Sequence, residues 1–224
     1  MRIENIEIMG LENAVKASKY PMAVDTANAT TEITKTVEKL AKAKIGSGHD
    51  NFLNGIVISF DIFGTNKWWT EMQRYHFCDY VSSMSTMHRI TKFDLDESYI
   101  KYVDENIVNI MKNKIENYNK TEDFIKDCKE RIEKINSLDM DEAQLLELEN
   151  IKKEISNITE SQKEKYLEIL YSNPSGFILG ARLVTNYRQL KTIYAQRKNH
   201  RLPEWREFCE WLKTLPHSDW ITCE

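Results

Sequence analysis

The chain has 224 residues, of which 41% are apolar and 29% are charged. A chain of this length buries a core without disulfides or metals, and the composition is that of a folded protein. Its 31 Lys and Arg against 35 Asp and Glu give a net charge of −4, so no overall basic field attracts nucleic acid. The longest apolar run, 56–60, is far short of the roughly 20 residues of a membrane helix. The N-terminus also lacks the apolar core of a signal peptide. We therefore expect a cytoplasmic protein with no membrane or nucleic-acid partner.

The N-terminal third predicts alternating strands and helices. Ile3, Ile6 and Ile8 indicate a short strand, and Leu11–Tyr20 follows as a short helix. Apolar residues recur on one face over Thr30–Lys44, which predicts a second helix.

The strongest strand signal is Ile56–Phe63, which is β-branched and aromatic and lies between two glycines. The segment after it, Trp68–Tyr80, is rich in large residues, and we expect it to be helical.

The middle of the chain predicts a helical hairpin, because 99–171 contains no Gly and no Pro. Two runs of apolar residues follow helical spacing: Ile125, Cys128, Ile132, Ile135 and Leu138, and then Leu145, Leu148, Ile151, Ile155 and Ile158. Asp139 and Glu142 between them have the spacing of a capping box. The hairpin is interpreted either as a coiled coil that binds nucleic acid or a partner, or as a packed insertion with a solvated charged face.

A basic segment follows the break at 173–176, with no acidic residue from Ser175 to Pro203. Its cations are Arg182, Arg188, Lys191, Arg197, Lys198 and Arg201. Arginine forks suit phosphate oxygens, so one interpretation is a site for a small phosphorylated ligand, to which Ser83 and Ser85 add donors. The other interpretation is a basic face that pairs with the acidic middle helices.

Two helices are predicted in this C-terminal part. Asn186, Leu190, Ile193 and Arg197 are spaced to share one helix face. Pro203 can occupy the first turn of a final helix over 204–215.

Reactive side chains give weaker signals. The four cysteines lie far apart, and the five histidines form no metal-binding spacing, so we expect reduced thiols and no metal site. A nucleophile formed by Cys78 with His76, or by a nearby Ser–His pair, is conceivable, but the spacing specifies no triad and no catalytic residue is assigned. No glycine-rich phosphate loop is present.

The order of these segments resembles the flavin-dependent thymidylate synthases. Their signature is Arg-His-Arg-x-x-Ser-x-x-x-x-Ser-x-Arg-Tyr, and His76 and Ser85 fall on its His and its second Ser. The remaining positions of the signature differ in this chain, where they are Tyr75, Phe77, Tyr80, Met87 and His88.

The C-terminal part matches this family better. The family has Asn-x-Arg-x-Leu, an Arg nine residues after the first Arg, and then Gln-Trp; the chain has Asn186–Leu190, Arg197 and Glu204-Trp205. The resemblance implies that His76, Asn186 and Arg188 contact the flavin. It also implies that Ser83, Ser85 and Arg197 contact the nucleotide. A further nucleotide-binding Arg of the family is Leu170 or Tyr171 here.

The resemblance implies one α+β domain over 1–224, with a small, mostly antiparallel sheet surrounded by helices and the hairpin of about 99–171 inserted in it. It implies methylation or another C5 modification of a deoxyuridine nucleotide such as dUMP, with FAD, NADPH and methylenetetrahydrofolate, in a homotetramer. The chain also resembles proteins common in bacteriophages and their hosts. Two alternatives are a non-catalytic relative that binds a nucleotide or a host protein, and a scaffold whose hairpin mediates assembly.

Overall fold

The structure is a computed structural model that describes residues 1–135 and 141–224. The chain forms two compact units, one made of Met1–Met84 with Ile178–Glu224 and the other of Ser85–Phe177. The first unit contains an antiparallel sheet with helices, and the second is helical. The α+β fold predicted from the sequence is confirmed.

The sheet has four strands in the order β1-β2-β4-β3, and every neighbouring pair is antiparallel. The strands are β1 (Arg2–Met9), β2 (Val57–Thr65), β3 (Asp79–Ser83) and β4 (Ile178–Asn186). β2 is the strand predicted over 56–63, and Phe60 on it lies opposite Leu183 on β4.

Helices connect and cover these strands. They are α1 (Leu11–Ser18), α2 (Lys35–Ala41), α3 (Asn66–Met72), α4 (Thr86–Arg89), α5 (Glu105–Ile135), α6 (Glu142–Ser172), α7 (Tyr187–Arg197), α8 (Pro203–Leu212) and α9 (Asp219–Thr222). Pro203 lies at the first turn of α8, as the sequence predicts, because its missing N–H is not needed there.

The core of the first unit lies on one face of the sheet. Alternate residues of β2, namely Ile58, Phe60 and Ile62, are fully buried, as the period of two requires. An aromatic cluster continues this core, with the rings of Trp68 and Trp205 5.0 Å apart between centroids. This cluster fixes α3 against α8, and both helices carry residues of the candidate site.

Two predicted helices are wrong in extent. The helix predicted over Trp68–Tyr80 ends at Met72, and Asp79 begins β3. β3 is an edge strand that pairs with β4, and this long-range pairing outweighs local helical preference. The helix predicted over 30–44 is the shorter α2, which starts after Thr34 because the Thr34 hydroxyl accepts a hydrogen bond from the Val37 N–H.

In the second unit, α5 and α6 pack as the predicted antiparallel hairpin. The buried residues of α6 recur every seven positions: Leu148, Ile155, Gln162 and Ile169. The Gln162 amide donates to the Tyr118 carbonyl and to the Glu122 carboxylate, which gives the hairpin polar contacts at a buried position. The cap of α6 is Asp141 with Gln144. The predicted box on Asp139 and Glu142 involves Asp139, which, like Leu138, lies outside the described residues.

Candidate functional site

The candidate site lies along α7, which follows directly from β4. Asn186 is the residue before the helix, and its side-chain oxygen accepts a hydrogen bond of 2.9 Å from the Gln189 N–H. Such a cap satisfies one of the free N–H groups of the first turn. The oxygen of Asn186 thus accepts a hydrogen bond from the helix itself, and its amide nitrogen is the group that can donate to a ligand.

The first of two ionic clusters lies near the start of α7 and is named the Asp50 cluster (Asp50, Arg188 and Lys191). Lys191 and Asp50 each expose about 1% of their side chains, and Lys191 Nζ lies 3.0 Å from Asp50 Oδ2. The same ammonium donates to the carbonyls of Ala41 at 2.7 Å and Ala43 at 2.5 Å. All three ammonium protons therefore have acceptors, as a buried lysine requires.

Arg188 is the accessible member of the Asp50 cluster. Its side chain is 35% exposed, and its Nε lies 3.4 Å from Asp50 Oδ1. That approach is an ion pair without hydrogen-bond geometry, since Asp50 Oδ1 has no hydrogen-bond partner. With two cations and one carboxylate, the cluster carries a formal charge of +1. Arg188 is the one member that can present this charge to an anion.

The second cluster lies near the end of α7 and is named the Glu71 cluster. It contains a carboxylate from α3 and the groups around it: Lys67, Glu71, Tyr75, Arg197, His200 and Trp205. Arg197 Nη1 lies 3.1 Å from Glu71 Oε2, and the side chains of both residues are about 15% exposed. The indole N–H of Trp205 donates to the same oxygen at 3.0 Å.

Arg197 is held on two further sides. Its Nε donates to the Tyr75 hydroxyl at 2.7 Å, and its guanidinium carbon lies 4.7 Å from the centre of the Trp205 ring. The Tyr75 hydroxyl in turn donates to Gln196 at 2.9 Å. Burial raises the pKa of Tyr75, so this hydroxyl stays protonated at neutral pH. Arg197 is therefore a packed, ion-paired residue rather than a free cation.

The other predicted site residues lie in different surroundings. His76 is exposed in the loop between α3 and β3, and Ser83 is exposed on β3. Ser85 belongs to the second unit, where it precedes α4 without capping it through its side chain. The structure places His76, Ser83, Asn186, Arg188 and Arg197 in the first unit, and it brings Arg197 together with Tyr75, the neighbour of His76.

The basic segment finds its acidic partners within the first unit. Besides the two clusters, Arg182 pairs with Asp61 and Glu7 at 3.2 Å each, and Lys198 pairs with Glu224 at 3.4 Å. The sequence interpretation paired these cations with the acidic middle helices, and it is wrong about the partners: the carboxylates that pair with them belong to the first unit.

The thiol and metal predictions can also be compared with the structure. Burial raises the pKa of Cys78 to about 12, so the Cys78 thiol is a poor candidate for a nucleophile at neutral pH. Within residues 1–135 and 141–224, no group of His, Cys, Asp or Glu is arranged to hold a metal ion. No helix in the same ranges is long and apolar enough to cross a membrane.

Sequence reasoning missed the two carboxylates that organise the site. Asp50 follows a glycine-rich turn and had no periodic signal. Glu71 stands four residues after Lys67, which is the spacing of a helical ion pair, and Lys67 Nζ lies 4.0 Å from it. That spacing was the one local signal that Glu71 forms an ion pair. It could not show that Glu71 also pairs with Arg197, which lies far along the chain.

The sequence matches no protein-family model and no curated protein. Its fold is similar to that of solved flavin-dependent thymidylate synthases. One is thymidylate synthase X from Helicobacter pylori with FAD and dUMP, at a TM-score of 0.62 and 15% identity, covering 100% of this chain and 98% of that one. Another structure of the flavin-dependent thymidylate synthase from the same organism, also complexed with FAD and dUMP, gives a TM-score of 0.54 at 14% identity, with coverage of 100% and 98%. At this identity the likeness establishes the fold.

Proposed function

We propose that this protein binds FAD at the start of α7 and acts on a deoxyuridine nucleotide, modifying it at C5. The observation that carries the proposal is Arg188, a partly exposed guanidinium whose charge is left over because Lys191 already pairs with Asp50. It lies in a fold that, in the similar solved structures, binds FAD and dUMP.

In this proposal the chain's own residues bind and orient the ligands. The outer edge of the Arg188 guanidinium binds a flavin phosphate, because an arginine fork matches phosphate oxygens. The Asn186 amide and the exposed His76 add donors, and Ser83 contacts the pyrimidine nucleotide. FAD supplies hydride chemistry when bound, with NADPH as its reductant and methylenetetrahydrofolate as the carbon source.

A second candidate function is nucleotide binding without catalysis, and one specific observation favours it. Arg197, which the resemblance assigns to the nucleotide, is already paired with Glu71 and packed on Trp205. The arginines that flank the signature His are Tyr75 and Phe77 in this chain. Fewer free cations are therefore available for a substrate phosphate than the signature provides.

The first test is the absorbance spectrum of the freshly purified protein, with mass spectrometry of the small molecules that heat releases. We expect a yellow protein that releases FAD. Arg188→Ala should lower FAD affinity by about 10-fold or more, since a hydrogen bond to a charged group contributes about 1.5–3 kcal/mol. Arg131→Ala, which removes an exposed arginine on α5, is the matched control and should bind FAD as the wild type does.

The outcomes separate the two candidates. A colourless protein whose melting temperature does not rise with added FAD contradicts flavin binding. If FAD binds, tritium release from C5-labelled deoxyuridine nucleotide supports the enzyme. Flavin binding without tritium release favours the non-catalytic protein.

A further inference from the structure

The Glu71 carboxylate accepts hydrogen bonds from two side chains and lies close to a third, His200. Arg197 Nη1 and the Trp205 indole N–H lie 3.1 and 3.0 Å from its Oε2. His200 Nε2 lies 3.4 Å from the same oxygen. Since His200 Nδ1 accepts a hydrogen bond from the Leu202 N–H at 3.2 Å, its Nε2 is the nitrogen that carries the proton.

This set of donors has the chemistry of a phosphate site. A guanidinium and an indole N–H donate to one oxygen, the His200 imidazole lies 3.4 Å from it without a hydrogen bond, and the Lys67 ammonium lies 4.0 Å from the other oxygen. Proteins bind phosphate oxygens with such donors, and arginine in particular matches them with two parallel N–H groups. Here the anion among these donors is the carboxylate of Glu71.

We propose that Glu71 is an internal anion that fills a phosphate-type site at Arg197 and thereby determines which ligand the chain accepts. A phosphate that approached Arg197 would meet the Glu71 carboxylate, and two like charges at contact distance repel each other. The ligand is therefore recognised through its base and sugar, with no phosphate bound to Arg197.

Arg197 is already in contact with the chain through its Nε, its Nη1 and one face of its guanidinium plane. Tyr75 accepts from its Nε, and the Trp205 ring covers its plane. Its Nη1 faces Glu71, which is 14% exposed, so solvent reaches the site. Removal of the Glu71 charge, with its shape kept, should open the site to an anion from solution.

The ligand part of this proposal rests on the proposed function, whereas the anion site itself does not. Two probes distinguish the anion site from the proposed function. Inorganic phosphate tests the site in any case, and deoxyuridine against its monophosphate tests the consequence for the proposed substrate. Thermal shift measures the affinity for inorganic phosphate, and calorimetry measures the affinities for deoxyuridine and its monophosphate. Both use the full chain at constant ionic strength.

The variants are Glu71→Gln, the double variant Glu71→Gln with Arg197→Gln, and the control Asp61→Asn. The control neutralises a carboxylate paired with another arginine, Arg182, which keeps Glu7 as a partner. We expect Glu71→Gln to gain at least 10-fold in phosphate affinity over the wild type. The gain should disappear in the double variant and be absent in the control. Phosphate binding at other cations contributes to the single and the double variant alike, so the difference in affinity between them reports binding at Arg197.

For the nucleosides, wild type should bind deoxyuridine and its monophosphate within about 3-fold of each other. Glu71→Gln should prefer the monophosphate by at least 10-fold. A phosphate gain that is absent from Glu71→Gln, or that persists in the double variant, overturns the proposal. Should Glu71→Gln fail to fold, a 10-fold preference of the wild type for the monophosphate overturns it, and equal affinities support it. If neither nucleoside binds, the proposed function fails, and the phosphate comparison still decides the role of Glu71.

Discussion

The two ends of α7 pair arginines with carboxylates in different environments. Near its start, Asp50 and Lys191 are almost completely buried, and Arg188 is left at the surface. Near its end, Glu71 and Arg197 share one site that solvent still reaches. The first cluster ties α7 to the carbonyls around α2 and leaves a cation for a ligand. The second occupies its own arginine. At Asp50 the buried partner is Lys191, and Arg188 stays accessible to a ligand. At Glu71 the partner is Arg197 itself, which is therefore occupied.

The largest expected effect comes from breaking the buried pair of the Asp50 cluster. Asp50→Ala leaves the Lys191 ammonium with two carbonyls and no carboxylate, and an unpaired buried charge costs about 3–5 kcal/mol. Urea unfolding should show this loss of free energy of unfolding.

The matched variant for this prediction combines Asp50→Ala with Lys191→Met, which removes both charges and keeps the length of the side chain. It should be more stable than Asp50→Ala alone, because no buried charge is left without a counter-charge. A loss below about 1 kcal/mol for Asp50→Ala would show that water reaches Lys191, and the contrast between the two ends of α7 would then disappear.

A smaller loss is expected at the other end of α7. Arg197→Ala removes a charged hydrogen bond to Glu71 and the contact with the Trp205 ring, which together contribute about 2–3 kcal/mol. Thermal and urea unfolding measure it. The sequence left open whether Arg197 binds a nucleotide or supports the fold, and we predict the second from its ion pair with Glu71. A variant that loses nucleotide binding at unchanged stability would contradict this assignment.

The sequence predicted the elements that carry the clusters better than the clusters themselves. β2 and α8 have strong local signals, an apolar β-branched run and a proline at the first turn. The fold class followed from these and from the resemblance at Asn186 and Arg188. β3 was missed because its five exposed residues have no apolar alternation and depend on pairing with β4.

The partners of the arginines could not be predicted, because they lie far apart along the chain. Glu71 and Arg197 are 126 positions apart, and Asp50 and Lys191 are 141. Helical spacing shows which residues share a face, but it does not show which carboxylate another element brings to that face. The cations of a segment with no acidic residue therefore look unpaired in the sequence, whereas most of them form ion pairs in the structure.

The smallest effect is expected at a third pairing, on the sheet, whose two side chains are more exposed than those of Glu71 and Arg197. Asp61 accepts a hydrogen bond from the Asn5 amide at 2.6 Å and pairs with Arg182 at 3.2 Å. The Asn5 hydrogen bond first, and Arg182 after it, hold the pKa of Asp61 below its ordinary value. Because a lowered pKa means that the folded state favours the carboxylate, the stabilisation is complete above the unfolded pKa of about 3.9 and is lost as the pH falls through the lowered folded pKa.

Asp61→Asn should therefore be less stable than the wild type at pH 7, and the difference should shrink as the pH falls below about 4. Urea midpoints at pH 7, 4 and 3 measure it, with Glu7→Gln as the control on the same arginine. Glu7 is the more exposed partner, so its variant should change less at every pH. If the difference in free energy of unfolding between wild type and Asp61→Asn stays constant from pH 7 to pH 3, the ionised carboxylate contributes nothing to stability. Partial exposure would then be enough to cancel the contribution of an arginine pair in this fold.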